Sequence, residues 1–210
     1  QVSYIPRKYL QQDRFRGHAA DLSVNFRSQT HLPPVGNDEP LVRDCLRHFL
    51  EDAETYEAFS EYVEQDYLEA LFAETKLLQG KGDPEKWYAL LSPARVQQLN
   101  ERVDLELLPV NREVFSEDTP VDLSIAVKNV ETLIVKVYQI NTPGFYRREQ
   151  EEITTAVDLD GLVPNREETV KYDQPPLRRH EETFHFPDLT SPGVYVVEFI
   201  GNGRSSRALI

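Results

Sequence analysis

Methionine is absent from the 210 residues, cysteine and tryptophan occur once each, and glycine only nine times. A lone cysteine cannot form an intrachain disulfide, so bridges do not hold this chain together. Cys45 lies among Leu41, Val42, Leu46, Phe49 and Leu50, a helical spacing that predicts a buried, inert thiol. Without a methionine to mark a start, the chain reads as a segment of a longer protein. No apolar run approaches the roughly 20 residues that cross a bilayer, and no basic start followed by an apolar stretch marks a signal peptide. Positive charge is also scarce: Lys and Arg total 23 against 36 Asp and Glu, a formal charge of −13. Such a surface repels phosphate and anionic lipid, so nucleic acid and membrane surfaces are excluded as expected partners.

What is present divides by period. Residues 1–37 carry five basic and two acidic side chains. Leu22, Val24 and Phe26 alternate there like a half-buried strand, and Pro33, Pro34 and Gly36 read as a linker. Helical spacing takes over from residue 38 to 103. Asn37 or Asp38 is placed to cap a first helix, and Pro40 falls in its first turn. One long helix is predicted from Glu54 to Gln79, with Tyr56, Phe59, Val63, Tyr67, Ala70, Leu71 and Leu78 on one side. Asp66 and Glu74 intrude on that side, and Gly80 to Gly82 stop the helix. Asp83–Pro84 and Ser92–Pro93 start two shorter helices, giving about four in all.

After Asp104 the apolar period becomes 2. Strands are predicted at Leu105–Val110, Val121–Val127, Leu133–Ile140, Ile153–Val157, Glu182–Phe186, Val194–Ile200 and Ser206–Ile210, with loops at 141–152 and 158–181. The expected whole is α+β: a small helical region followed by an all-β, seven-stranded, immunoglobulin-like antiparallel sandwich over 104–210. Within it, Tyr195 is expected to fill the core while its hydroxyl bonds backbone at a corner.

The run from Asp104 to Asn141, with Lys128, Asn129 and Val130 ahead of the Val135–Tyr138 strand, resembles a macroglobulin-type (MG2-like) domain of large bacterial alpha-2-macroglobulin-like proteins. Gly193 to Tyr195 extends that resemblance to the carboxyl end. The family's Cys-Gly-Glu-Gln thioester motif is missing, and Val114 to Pro120 replaces its usual approach to the second strand. The resemblance implies a non-catalytic module of an exported protein, extracellular or in the cell envelope. Its implied partners are neighbouring domains of the same chain and proteases.

Few residues invite chemistry. Asp158, Asp160 and Gly161 resemble the opening of a calcium loop but lack its later ligands and read as an Asp–Gly turn. His180 and His185 stand five apart, on opposite faces of a strand, so one metal ion does not reach both. Glu54, Glu57, Glu61 and Glu64 form a solvated helix face rather than a glycosidase pair. His18, His31 and His48 accompany no nucleophile turn. No catalytic residue, metal or cofactor is therefore assigned. The candidate interaction or protease-sensitive loops are those of Arg147 with Arg148 and Arg178 with Arg179. An alternative is a carbohydrate-binding accessory sandwich using Phe145, Tyr146 and Tyr172 as stacking platforms.

Overall fold

The computed structural model describes residues 4–12, 27, 31, 38–116 and 119–210. The strand expected at Leu22 to Phe26, the linker at Pro33 to Gly36, Asn37 and His18 lie outside the described residues. The chain divides into two compact units, 1–96 and 97–210, with the division inside the helix Pro93–Glu101.

Among the described residues of the first unit the helices include α1 (Arg7–Leu10), α2 (Glu39–Leu50), α3 (Gln65–Gln79), α4 (Pro84–Ala89) and the start of α5 (Pro93–Glu101). Helix α3 is its centre, with Leu68 and every residue from Leu71 to Leu78 buried. Gly80 ends it in the left-handed conformation, donating to Leu77 O while Lys81 donates to Lys76 O. The single helix expected from Glu54 does not form. Residues 51–64 are turns with one 3-10 segment at Glu57–Phe59, and Glu64, the last of them, is held by the amino-terminal segment. Its N–H donates to Tyr4 O at 2.8 Å, and its carboxylate accepts from the N–H of Arg7 at 3.0 Å. Those contacts hold Glu64 extended, at ψ 132°, and delay the helix to Gln65.

Cys45 is exposed, not buried. Helix α2 faces its unit through Leu46 and Leu50, and position 45 falls on the side turned away.

The second unit is an antiparallel sandwich. Strands β1 (Asp104–Leu107), β2 (Asp122–Lys128) and β5 (Arg179–His185) pair in the order β1-β2-β5. Strands β3 (Thr132–Ile140), β4 (Arg166–Lys171), β6 (Val194–Gly201) and β7 (Arg204–Leu209) pair as β4-β3-β6-β7. Leu123, Ile125 and Val127 face Leu133, Val135, Val137, Val197 and Phe199, none more than 1% exposed. Glycine is required at position 201, where a Cβ would meet Val130 Cγ1 at 2.5 Å.

Seven strands form among the described residues, but not all seven expected ones. Residues 153–157 are not a strand, for the guanidinium of Arg207 takes the carbonyls of Thr155 and Val157, the latter at 3.0 Å. Val157 and Leu159 instead cover Tyr138, Ile140 and Val196 on the outer face of the four-stranded sheet. The expected loop 141–152 holds α6 (Thr142–Glu149), started by Asn141, whose side chain accepts from Gly144 N at 3.0 Å. Breakers such as Pro143 are ordinary in a first turn. The expected loop 158–181 holds β4, hidden in the sequence because two of its alternating half-buried residues are polar, Arg166 and Glu168, joined at 2.8 Å.

Two polar devices complete the sandwich. Tyr195 is 7% exposed and its hydroxyl donates to Ser191 O at 2.9 Å, a tyrosine corner. Lys128, wholly buried at the end of β2, donates to Leu99 O at 2.5 Å and Arg102 O at 2.6 Å, satisfying carbonyls at the end of α5. A fragment of residues 97–210 is expected to unfold cooperatively in urea. A fragment beginning at 104 loses the two acceptors of Lys128 and should be less stable by about 1–3 kcal/mol. One beginning at 132 lacks β1 and β2 and should show no cooperative transition by circular dichroism.

Candidate interaction surfaces

Helix α2 carries an apolar stripe with no cover among the described residues. Leu41, Cys45 and Phe49 recur every fourth position; Leu41 is 69% and Phe49 62% exposed. Among the described residues the ring contacts of Phe49 are with His48 at 5.5 Å and Phe59 at 6.2 Å. Amphipathic helices normally turn such a face inward, so a second apolar face on one helix is the kind of surface that docks on a partner.

The same unit has a cleft of about 360 Å³ whose mostly apolar lining, with Leu71 and Leu91, also carries Arg43, Tyr67, Glu74 and Arg95. Glu74 is buried, and Arg95 holds it with two hydrogen bonds, from Nε and, at 3.0 Å, from Nη2. Tyr67 donates to Glu39 Oε1 at 2.8 Å, and burial, then that bond, push its phenol up to about 12. Arg43 pairs with Glu39 at 2.5 Å as Arg95 does with Glu74, so each guanidinium of the cleft already has its carboxylate.

In the sandwich, a cleft of about 870 Å³ lies between α6 and residues 151–162, lined by Glu149, Glu151, Glu152, Asp158 and Asp160 over Phe145. Asp158 Oδ1 accepts from Asp160 N at 2.9 Å and Gly161 has φ 79°, an Asx turn. Among the described residues no group of three or more His, Cys, Asp or Glu side chains is placed to hold a metal ion.

The arginine pairs are separated by the fold. Arg147 and Arg148 sit on the last turn of α6, where a helix C-terminus favours cations, and Arg148 pairs with Glu149 at 2.5 Å. Arg178 lies in the turn before β5. Arg179 opens that strand with its side chain 18% exposed, within 4.0 Å of Asp104, 3.9 Å of Glu106 and 3.7 Å of Glu181. His185 is exposed and bonds Asp122 at 2.7 Å, whereas His180 turns inward. The sequence reading missed Lys128 and Glu74 as buried charges. Their signal was slight: a lysine closing an apolar strand, and an acid on the apolar side of a helix.

Comparison with known proteins identifies the architecture. Residues 1–103 match the model of the actin-binding protein F N-terminal domain, and residues 133–210 that of the first immunoglobulin-like domain of AbpF. Actin-binding protein F of Dictyostelium discoideum is 39% identical over 207 residues, covering 96% of this chain but 9% of that protein's length. No solved structure matches the chain. These findings overturn the macroglobulin resemblance, and with it the exported location, the protease and neighbouring-domain partners and the role in protease inhibition. They equally overturn the carbohydrate-binding alternative. The reason is physical: the residues that carried the resemblance serve the sandwich fold. Lys128 caps the end of α5, Asn129 turns at φ 55° between β2 and β3, and Tyr195 makes the corner. Tyr172, put forward to stack on sugar, is bonded to Glu182, on a different element from Tyr146.

Two measurements follow from the buried charges. Arg95→Leu strands Glu74 in the interior and should cost about 3 kcal/mol, whereas the double change Arg95→Leu, Glu74→Leu should recover much of it in a double-mutant cycle. Burial pushes the Lys128 ammonium down to about 8 against the pull of Asp104. A folded value below the unfolded 10.5 means the unfolded state binds more protons between them, so the sandwich gains stability as pH rises from 8 towards 10.5. Urea midpoints of Lys128→Met should lack that rise.

Proposed function

The chain is similar to actin-binding protein F through both of its domains, and from that premise we propose that it belongs to the actin-binding protein F family and acts as a non-catalytic, actin-contacting segment at the cytoskeleton. The observation that carries this reading is the match of residues 1–103 to that protein's N-terminal domain. Because the chain spans about a tenth of its relative's length, its part in a larger protein's activity belongs to the same proposal. Working units of 38–103 and 104–210 belong to it as well.

The α2 stripe is the surface we assign to the contact. It lies inside the matched N-terminal region, and burying an exposed Leu or Phe side chain contributes roughly 1.5–3 kcal/mol each. Helix-in-groove recognition uses anchors at this spacing. Arg147, exposed on the last turn of α6, is a second contact position, suited to an acidic partner surface.

Co-sedimentation with filamentous actin tests the reading. The 210-residue chain should pellet with actin and stay in the supernatant without it; failure to pellet rejects the function. Leu41→Asp with Phe49→Asp should weaken pelleting at least tenfold with an unchanged circular dichroism spectrum, since both side chains are exposed. Undiminished pelleting of that variant rejects the stripe alone.

A further inference from the structure

The open side of the sandwich, between the edge strands β4 and β5, is closed by polar side chains. Strand β5 pairs His180 with Val127 and Glu182 with Ile125 of β2, so both turn to the core face alongside Phe184. Tyr172, just after β4, is fixed by its N–H donating to Glu131 O at 2.9 Å. Its phenol reaches across and donates to Glu182 Oε2, tying one sheet edge to the other. The Tyr172 and His180 rings meet at 4.9 Å and 66°. Neither nitrogen of His180 has a hydrogen-bond partner among the described residues, and both are buried.

An unpartnered buried imidazole is costly, and such a group in a native fold calls for an explanation. As a barrier to strand pairing, an inward carboxylate on an edge strand suffices without the histidine. What the imidazole adds is a proton site two residues from Glu182 on one strand face. Burial holds Tyr172 far above the ordinary phenol range, so it remains the donor and Glu182 the acceptor. Burial also lowers His180; the charged groups acting on it are Glu182, which opposes that shift, and Arg178 in the preceding turn, which adds to it. From β2 the paired residue is Val127, which is apolar.

We propose that this seam is a proton-operated latch: protonated His180 takes Glu182 as its ion partner, the Tyr172 phenol is released, and the β4–β5 side of the sandwich loosens. The step consists of one proton taken from solvent and one hydrogen bond exchanged for an ion pair. Its sign follows from linkage. A histidine lowered in the folded state leaves stability intact above 6.5, and stability is lost as pH falls through the folded value.

Nuclear magnetic resonance of the 210-residue chain between pH 7.5 and 4.5 tests the latch. His180 should titrate below 6.5, the Tyr172 ring signals should move with the same midpoint, and protection of the β5 amides should fall at least tenfold across it. His180→Phe keeps a ring against Tyr172 and should abolish the acid response. Tyr172→Phe should show the lowered β5 protection already at pH 7.5. A Tyr172 signal that ignores the His180 titration overturns the proposal, as does an acid response retained by His180→Phe. The wild-type titration decides even if a variant fails to fold. Actin pelleting plays no part in these readouts, so the latch and the proposed function stand or fall separately.

Discussion

A dry layer between two antiparallel sheets governs this protein. Leu123, Ile125 and Val127 against Leu133, Val135, Val137, Val197 and Phe199 leave no room for water, so every polar group near that layer needs a partner at its rim. Each rim device answers this demand. Lys128 meets the carbonyls of Leu99 and Arg102 at one position, Tyr195 meets Ser191 at another, and Tyr172 meets Glu182 along the open side. Among the described residues His180 departs from this pattern at both ring nitrogens, as Arg102 does at Nε, and the proposed latch starts from the histidine.

The helical unit solves the same problem with different means. Helix α3 is buried along most of its length, including Glu74, Thr75 and Lys76. Thr75 donates back to Leu71 O at 2.7 Å, Lys76 donates to Glu51 O at 3.0 Å, and Glu74 keeps Arg95. With its own core satisfied, this unit still exposes Leu41 and Phe49, an excess that its fold does not require. The proposed function assigns that excess to a partner surface, and the similarity of residues 1–103 to an actin-binding protein's N-terminal domain supports actin as that partner.

Features that speak for a sandwich in general do not choose among families of sandwiches. A strand-ending lysine and asparagine at 128 and 129, and a Gly-x-Tyr entry at 193–195, were legible because the fold needs them. For that reason they fitted a macroglobulin reading equally well. Of the candidate surfaces, the sequence showed the arginine pairs but not their settings: Arg179 is held beside three carboxylates, and Arg147 lies on a helix that Pro143 and Gly144 concealed. The apolar stripe was visible only as helical spacing. Periodicity locates faces without saying which of two faces is covered, so the spacing alone places Cys45 inside although it is exposed.

By itself, the sequence determined the class: helices where the apolar period is 3.6 and an antiparallel seven-stranded sandwich where it is 2. Those properties are local, set by spacing, turn residues and composition within a few positions. Tertiary structure decided the rest. Glu64 was withdrawn from a helix by Tyr4 and Arg7, residues 153–157 gave their carbonyls to Arg207 instead of a neighbouring strand, and Cys45 was turned outward. Each of these outcomes hangs on a partner some 50 to 60 residues away in the chain, or, for Cys45, on which face α2 buries. Which distant group arrives first at a hydrogen bond or a buried face is settled by the packed whole, and no window of local sequence contains it.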